Sequence, residues 1–346
     1  MKKYIIFTLL IMLVASFAQA QEQSAENGNG FGGLIEKSDG SVVNWADGFI
    51  SASSEIKLLP DSIDPVRSKA LAVRQGGVES RKALLDVVLG LPVDGKRNVS
   101  SLLDDDLKSL NLLRGYVQNS LFSTAVSNGT VSVISSLNMR NGLSSIIIPP
   151  TLSFQTGIPP TISGERGETG VELQALENTG SGFADSSAYS GVVIDARGLP
   201  FSPVLLPLIY DGKGVGVYGI FAVSRDSVLK RGLVAYMVDP KSENLRARVG
   251  NFPLTVKAVN SHGPLRCNFI LSIDDAAKVR AVLNRKTVIE NCAVVILVDS
   301  SSVRPETADD VESAAPEEQK GTAVGNESGI HEDSLDTTPA VGNQQR

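Results

Sequence analysis

Apolar positions fall into three patterns along this chain, and each predicts a different kind of element. The first is a continuous run over residues 4–17, preceded by Lys2 and Lys3 and closed by Ala18-Gln19-Ala20. A basic start, an apolar middle and small residues at the cleavage position read as a secretory signal peptide over residues 1–20. The run is short for a membrane span, and no cysteine follows Ala20. Neither a transmembrane helix nor a lipid anchor is therefore expected in the mature chain.

The second pattern has helical spacing. Asp64-Pro65 opens it: aspartate accepts the free N–H groups of a helix start, and proline at the first helical position loses nothing by lacking its own. Val66, Ala70, Val73, Gly77, Leu84 and Val88 then recur on one face, which predicts a helix over residues 65–89 stopped by Gly90, Pro92 and Gly95. Gly76 and Gly77 cost that helix about 1 kcal/mol each against alanine, so a close crossing against a sheet is the expected reason for them. Asp104-Asp105-Asp106 reads as a second helix start, where negative charge is favourable without a metal.

The third pattern is a series of short apolar runs broken by turn residues. Val43, Trp45, Phe49 and Ile56 mark strands over residues 42–58, and residues 116–126 and 130–139 flank Asn128-Gly129, a dipeptide suited to a tight hairpin. Residues 144–148 and 151–154 read as short strands in a stretch rich in proline and glycine. Further strands are expected at 191–195, 204–210, 215–223, 233–238, 254–259, 269–273 and 293–298, with a helix opened by Asp274 and Asp275. The run 293–298 is apolar almost throughout and must be covered on both faces.

Together these elements predict an α+β protein of two small domains, each a largely antiparallel sheet packed by helices, with a disordered acidic C-terminal tail. The expected organisation is a signal peptide at 1–20, a flexible leader at 21–41 and a first domain at 42–140. A linker or projecting hairpin follows at 141–187, then a second domain at 188–299 and the tail at 300–346.

Charge narrows the functional classes. The chain carries a net −6, yet ten acidic and only three basic residues lie in 304–346, so the body is near neutral. Nucleic acid, whose binding rests on concentrated lysine and arginine, is not an expected partner. The sole tryptophan, Trp45, has no basic neighbours and reads as a core or interface anchor.

Candidate chemistry is sparse. His262 is the one histidine outside the tail, where His331 lies. There is no Gly-x-Ser-x-Gly elbow and no histidine pair for zinc. Gly212, Gly214, Gly216 and Gly219 are spaced like a hairpin rather than a phosphate-binding loop. No catalytic, cofactor or metal site is expected. Cys267 and Cys292 could form a disulfide in an oxidising export compartment, stabilising by roughly 3 to 4 kcal/mol for a loop of about 25 residues; the alternative is two free buried thiols. In Asp195-Ala196-Arg197-Gly198, Asp195 and Arg197 fall on one side of a continuing strand. An ion pair pinning the strand end is expected, with Gly198 turning the chain.

Residues 189–200, Tyr-Ser-Gly-Val-Val-Ile-Asp-Ala-Arg-Gly-Leu-Pro, resemble a segment of uncharacterised secreted proteins of Gram-negative bacteria. The likeness continues through Pro-Val-Leu-Leu-Pro at 203–207, Asp211 to Lys213, Val217 to Gly219, the helix at Asp274 and the run from Cys292. The first domain, on Trp45 with Gly48, the helix at 65–89 and the hairpin at Asn128-Gly129, is similar to the FlgP-like envelope lipoproteins. That resemblance implies a small α+β domain in a non-enzymatic envelope protein, without a cofactor, working with protein partners or as a homo-oligomer. The chain departs from it in lacking the lipidated cysteine. The expected role is a periplasmic structural or assembly protein, peripheral to the outer membrane, serving a flagellar or other envelope complex. The second reading is a module binding a small ligand or peptidoglycan in a pocket between the domains, and an enzyme comes third.

Overall fold

In a computed structural model describing residues 32–58, 64–162 and 188–300, the chain turns back on itself at once. Strand β1 (Ile35–Ser38) reverses through Asp39-Gly40, both at positive φ, into β2 (Ser41–Asn44). Strand β3 (Phe49–Lys57) pairs antiparallel with β2. Residues 34–41, expected in a flexible leader, therefore belong to the fold, because Leu34 is buried and its backbone is paired.

Helix α1 (Pro65–Gly90) starts where predicted, with Asp64 accepting from the Arg67 N–H at 3.0 Å. Its buried face is Ala72, Gly76, Gly77, Ser80, Leu84 and Val88. Val66, expected on that stripe, is 80% exposed. Helix α2 (Val99–Leu102) is a single turn. Helix α3 (Leu107–Gln118) is capped by Asp106, which accepts from the Ser109 N–H and hydroxyl. Strand β4 (Leu121–Ser127) consequently begins later than residue 116, where helix α3 still runs. Asn128 and Gly129 both take positive φ, as a two-residue hairpin turn requires, and lead into β5 (Thr130–Asn138). The first sheet is antiparallel throughout, in the order β1-β2-β3-β5-β4, with α1 packed on β3 and β5.

Residues 144–148, expected as a strand in a linker, instead form helix α4 (Ser144–Ile147). Leu143, Ile147 and Ile148 are buried in the core, which holds this segment against the body. No strand forms at 151–154; the chain runs on to Thr161, which bridges Val215.

The second sheet contains β6 (Gly191–Asp195), β7 (Ile209–Tyr210) and β8 (Gly216–Tyr218). Helix α5 (Arg225–Arg231) then leads to β9 (Ala235–Met237), and α6 (Glu243–Val249) to β10 (Pro253–His262). After β11 (Asn268–Leu271), helices α7 (Ile273–Leu283) and α8 (Lys286–Glu290) precede β12 (Val294–Leu297). The order is β8-β7-β11-β10-β6-β12-β9. The α+β class holds, but this sheet is mixed rather than largely antiparallel: β10-β6-β12-β9 run parallel, and only β10·β11 and β7·β8 are antiparallel. One cause is α6, which returns the chain along the sheet between β9 and β10 so that the second strand runs the same way as the first.

Both faces of the parallel centre are covered. Val193, Val295 and Leu297 pack with Leu245 and Val249 of α6, while Val192, Ile194, Val294 and Ile296 join the cluster that holds Val279 and Val282 of α7. Alternation along β6 and β12 is what sends neighbouring side chains to opposite helices.

The two sheets share one core. The Leu34 N–H donates to the Tyr236 carbonyl at 3.1 Å, Gly33 bridges Met237, and the Leu205 and Leu206 N–H groups donate to Pro92 and Val93. Trp45 meets Tyr236 edge-on, with ring centroids 6.0 Å apart. The described residues lie in one compact unit. Residues 1–31, 59–63, 163–187 and 301–346, and with them the expected signal peptide and tail, lie outside the description.

Candidate functional site

The residues singled out in the sequence prove to be fixed by their own neighbours. Arg197 donates from Nε to Asp195 Oδ1 at 2.8 Å and from a terminal nitrogen to Oδ2 at 2.6 Å, a bidentate pair at the end of β6. Those bonds hold the Asp195 carboxyl below its ordinary value. Gly198, at φ +83°, donates its N–H to Asp299 beyond β12, tying the two strand ends together. Trp45 is 5% exposed and donates its indole N–H to Glu36. Burial raises the Glu36 carboxyl while that bond opposes the shift. At Gly76 the helix crosses the sheet at contact distance: the Ser54 hydroxyl donates to the Gly76 carbonyl at 2.7 Å, and Ser80 and Ser135 share a buried hydrogen bond. Gly77 faces only the Arg81 side chain.

Cys267 and Cys292 are both free and buried, which corrects the disulfide expected as one alternative. They face different groups: Cys267 lies against Gly95, whereas Cys292 neighbours Tyr218 and Arg248. Burial pushes the Cys267 thiol up to about 11. The His262 ring sits edge-on to Tyr210, 6.4 Å between centroids. Among the described residues, no group of three histidine, cysteine or acidic side chains could hold a metal, and no helix is long and apolar enough to cross a membrane.

A polar cluster that sequence reading missed lies at the turn after β7. Asp211 accepts from the Lys213 and Val215 N–H groups, both at 2.9 Å, and from Arg280 at 2.8 Å. Burial raises its pKa, and these bonds outweigh burial to hold the carboxyl below the ordinary range. The Asp-Gly-Lys-Gly sequence signalled the turn; Arg280, from α7, could not be assigned to it without the fold. Between the sheets, Trp45, Met139, Ile147, Val228 and Tyr236 line an apolar cavity of about 50 Å³. That is room for about one or two waters; a larger cleft of about 190 Å³, also lined from both parts of the chain, has Asp47, Arg140, Arg231, Asn244 and Arg248 in its wall.

What remains without partners among the described residues is an edge. Every residue of β4, Leu-Phe-Ser-Thr-Ala-Val-Ser, is exposed, and among the described residues β4 pairs only with β5. Leu121 is 74% exposed, Phe122 50% and Val126 46%. Strand edges of this kind are ordinarily blunted by charge, proline, shortness or a covering segment. The other three edges follow that rule. Strand β1 is four residues long and carries Glu36 and Lys37, β9 is bridged by Gly33, and the chain from Pro160 to Ile162 covers β8. Strand β4 has seven residues, no charge and no proline. Phe122, Thr124 and Val126 oppose Ser135, Val133 and Val131 of β5, so they point to the face that α1 covers. The Arg81 guanidinium lies 5.2 Å from the Phe122 ring centre.

Residues 191–300 are similar to the family described as the second domain of Treponema pallidum Tp0624. The match begins with the first residue of β6 and ends just past β12, so it takes in the whole seven-stranded sheet but less than half of the 346 residues. No curated protein matches the chain.

Proposed function

We propose that this protein is an exported, non-enzymatic assembly component of the cell envelope, and that β4 is the strand through which its copies join. The observation that carries this reading is the edge of β4, unpaired among the described residues, beside three guarded ones. The signal-like first twenty residues and the likeness to envelope lipoproteins support the location, in the periplasm and peripheral to the outer membrane. Residues 191–300 are similar to the second domain of another protein, which fits a module used in more than one setting.

The strand is suited to pairing with itself. An antiparallel pair about a two-fold axis at Thr124 sets Leu121 against Ser127, Ser123 against Ala125, and Phe122 against Val126. Aromatic and β-branched side chains opposite one another contribute about 0.2 to 1 kcal/mol per pair. The two first sheets then become one continuous sheet with a self-complementary interface, the commonest route to a closed dimer.

Light scattering of the mature chain is the test. A defined oligomer is expected, and Thr124→Lys, which sets like charges face to face at the axis, should return it to monomer with unchanged circular dichroism. A wild-type monomer at high concentration overturns the proposal, and so does an oligomer indifferent to Thr124→Lys.

A further inference from the structure

Three arginines from separate segments converge on a cleft of about 190 Å³ beside β9, away from β4. Arg140 follows β5, Arg231 ends α5 and Arg248 lies on α6; Asp47 and Asn244 complete the polar wall, and Met237 lies in the apolar floor. Two of the guanidiniums are held in place by the backbone alone. Arg248 donates to the carbonyls of Val294, Arg231 and Gly232 at 3.0, 2.6 and 2.8 Å. Arg140 donates to the Ala46 carbonyl at 2.6 Å, and its stem lies against Gly48, where an added Cβ would come within 3.3 Å. The exposed Arg231 side chain makes no hydrogen bond among the described residues.

Carbonyls orient these groups without neutralising them. Among the described residues, none of the three forms a salt bridge. Asp47 is the one carboxylate in the wall, and it accepts from the Asn44 and Asn244 amides at 3.0 and 3.3 Å. Mutual repulsion is registered in the arginines themselves. Burial first, then Arg140 and Arg231, push Arg248 down to about 10, and burial followed by Arg231 lowers Arg140 against the pull of Asp47. A guanidinium is not deprotonated in proteins. Three positive charges and one negative charge leave the cleft at +2, with two of the three guanidiniums held in place.

We propose that this cleft binds a small dianionic oxyanion, a phosphate or a compact dicarboxylate. Guanidinium groups match such oxygens in geometry as well as charge, and a dianion cancels the excess charge. A cleft of about 190 Å³ suits a ligand smaller than those of drug-sized sites, which begin at about 300 Å³.

Calorimetric titration of the full mature chain with inorganic phosphate and, separately, succinate would test this, at an ionic strength matched with sodium chloride. Saturable binding of at least one is expected. Arg231→Gln should weaken it at least ten-fold, since that side chain makes no hydrogen bond or salt bridge among the described residues, whereas Lys230→Gln, one residue away on α5, should leave it within two-fold. Asp47→Asn should tighten binding several-fold by removing a repelling charge. Absence of saturable heat from both anions overturns the proposal. Equal weakening by Lys230→Gln and Arg231→Gln also overturns it, because diffuse surface charge would then explain the binding.

Discussion

Gly76 of α1 lies so close to Val133 of β5 that a Cβ on Gly76 would stand 2.6 Å from Val133 Cγ2. Its neighbour Gly77 has no such constraint, because a Cβ there would meet only the flexible end of Arg81 at 3.4 Å. Opposite outcomes follow from adjacent residues. Gly76→Ala should lower stability by about 1 to 3 kcal/mol through overpacking, whereas Gly77→Ala should raise it by up to about 1 kcal/mol through helix propensity. Urea midpoints of the two variants distinguish them, and a stabilised Gly76→Ala would refute the tight crossing.

Asp211 makes acid sensitivity predictable. Its carboxyl is depressed in the folded state, so its stabilisation is present above the ordinary value of 3.8 and lost as pH falls through the lower folded value. Asp211→Asn should cost about 2 kcal/mol at neutral pH, the scale of hydrogen bonds to a charged group. The variant should also show a flatter loss of stability below pH 4 than the parent. Denaturant midpoints at pH 7 and pH 3 measure both.

The Asp195–Arg197 pair should matter far less, although its geometry is better. Both side chains are partly in water, 21% and 43% exposed, and exposed pairs contribute at most about 1 kcal/mol. Asp195→Asn should therefore lower the melting temperature less than Asp211→Asn does. The reverse ranking would mean that the turn at Gly198 depends on Asp195 for more than charge.

The thiols give a direct chemical check. Cys267 and Cys292 are 0% exposed and both shifted upward by burial. Ellman reagent should react slowly with the native protein at pH 8 and should count two thiols after denaturation without reductant. Fewer than two would restore the disulfide.

Local signals in the sequence were legible where they stood alone. Asp64-Pro65 marked the start of α1, and Asn128-Gly129 marked its hairpin, because capping and turn chemistry act within a few residues. The parallel centre of the second sheet was not legible. Helix α6 is seven residues long, Glu243–Val249, too short for its periodicity to announce a crossover between β9 and β10. Trp45 was readable as an anchor, but its partner Tyr236 was not. The arginine cleft was hidden for the same reason: Asp47, Arg140, Arg231 and Arg248 come from four segments and meet only in three dimensions.

The position of β6 inside its sheet sets a schedule for folding. Its neighbours are β10 and β12, so Gly191–Asp195 has no strand beside it until residues 253–297 have been made. Pairings so distant along the chain are formed slowly. A partly synthesised chain thus holds a nearly complete first sheet beside an unpaired apolar strand, and neither Leu34 nor Trp45 can find Tyr236 until β9 exists. The last strand made, β12, is the one that gives β6 its second neighbour, so the second sheet closes only when residues 294–297 are present.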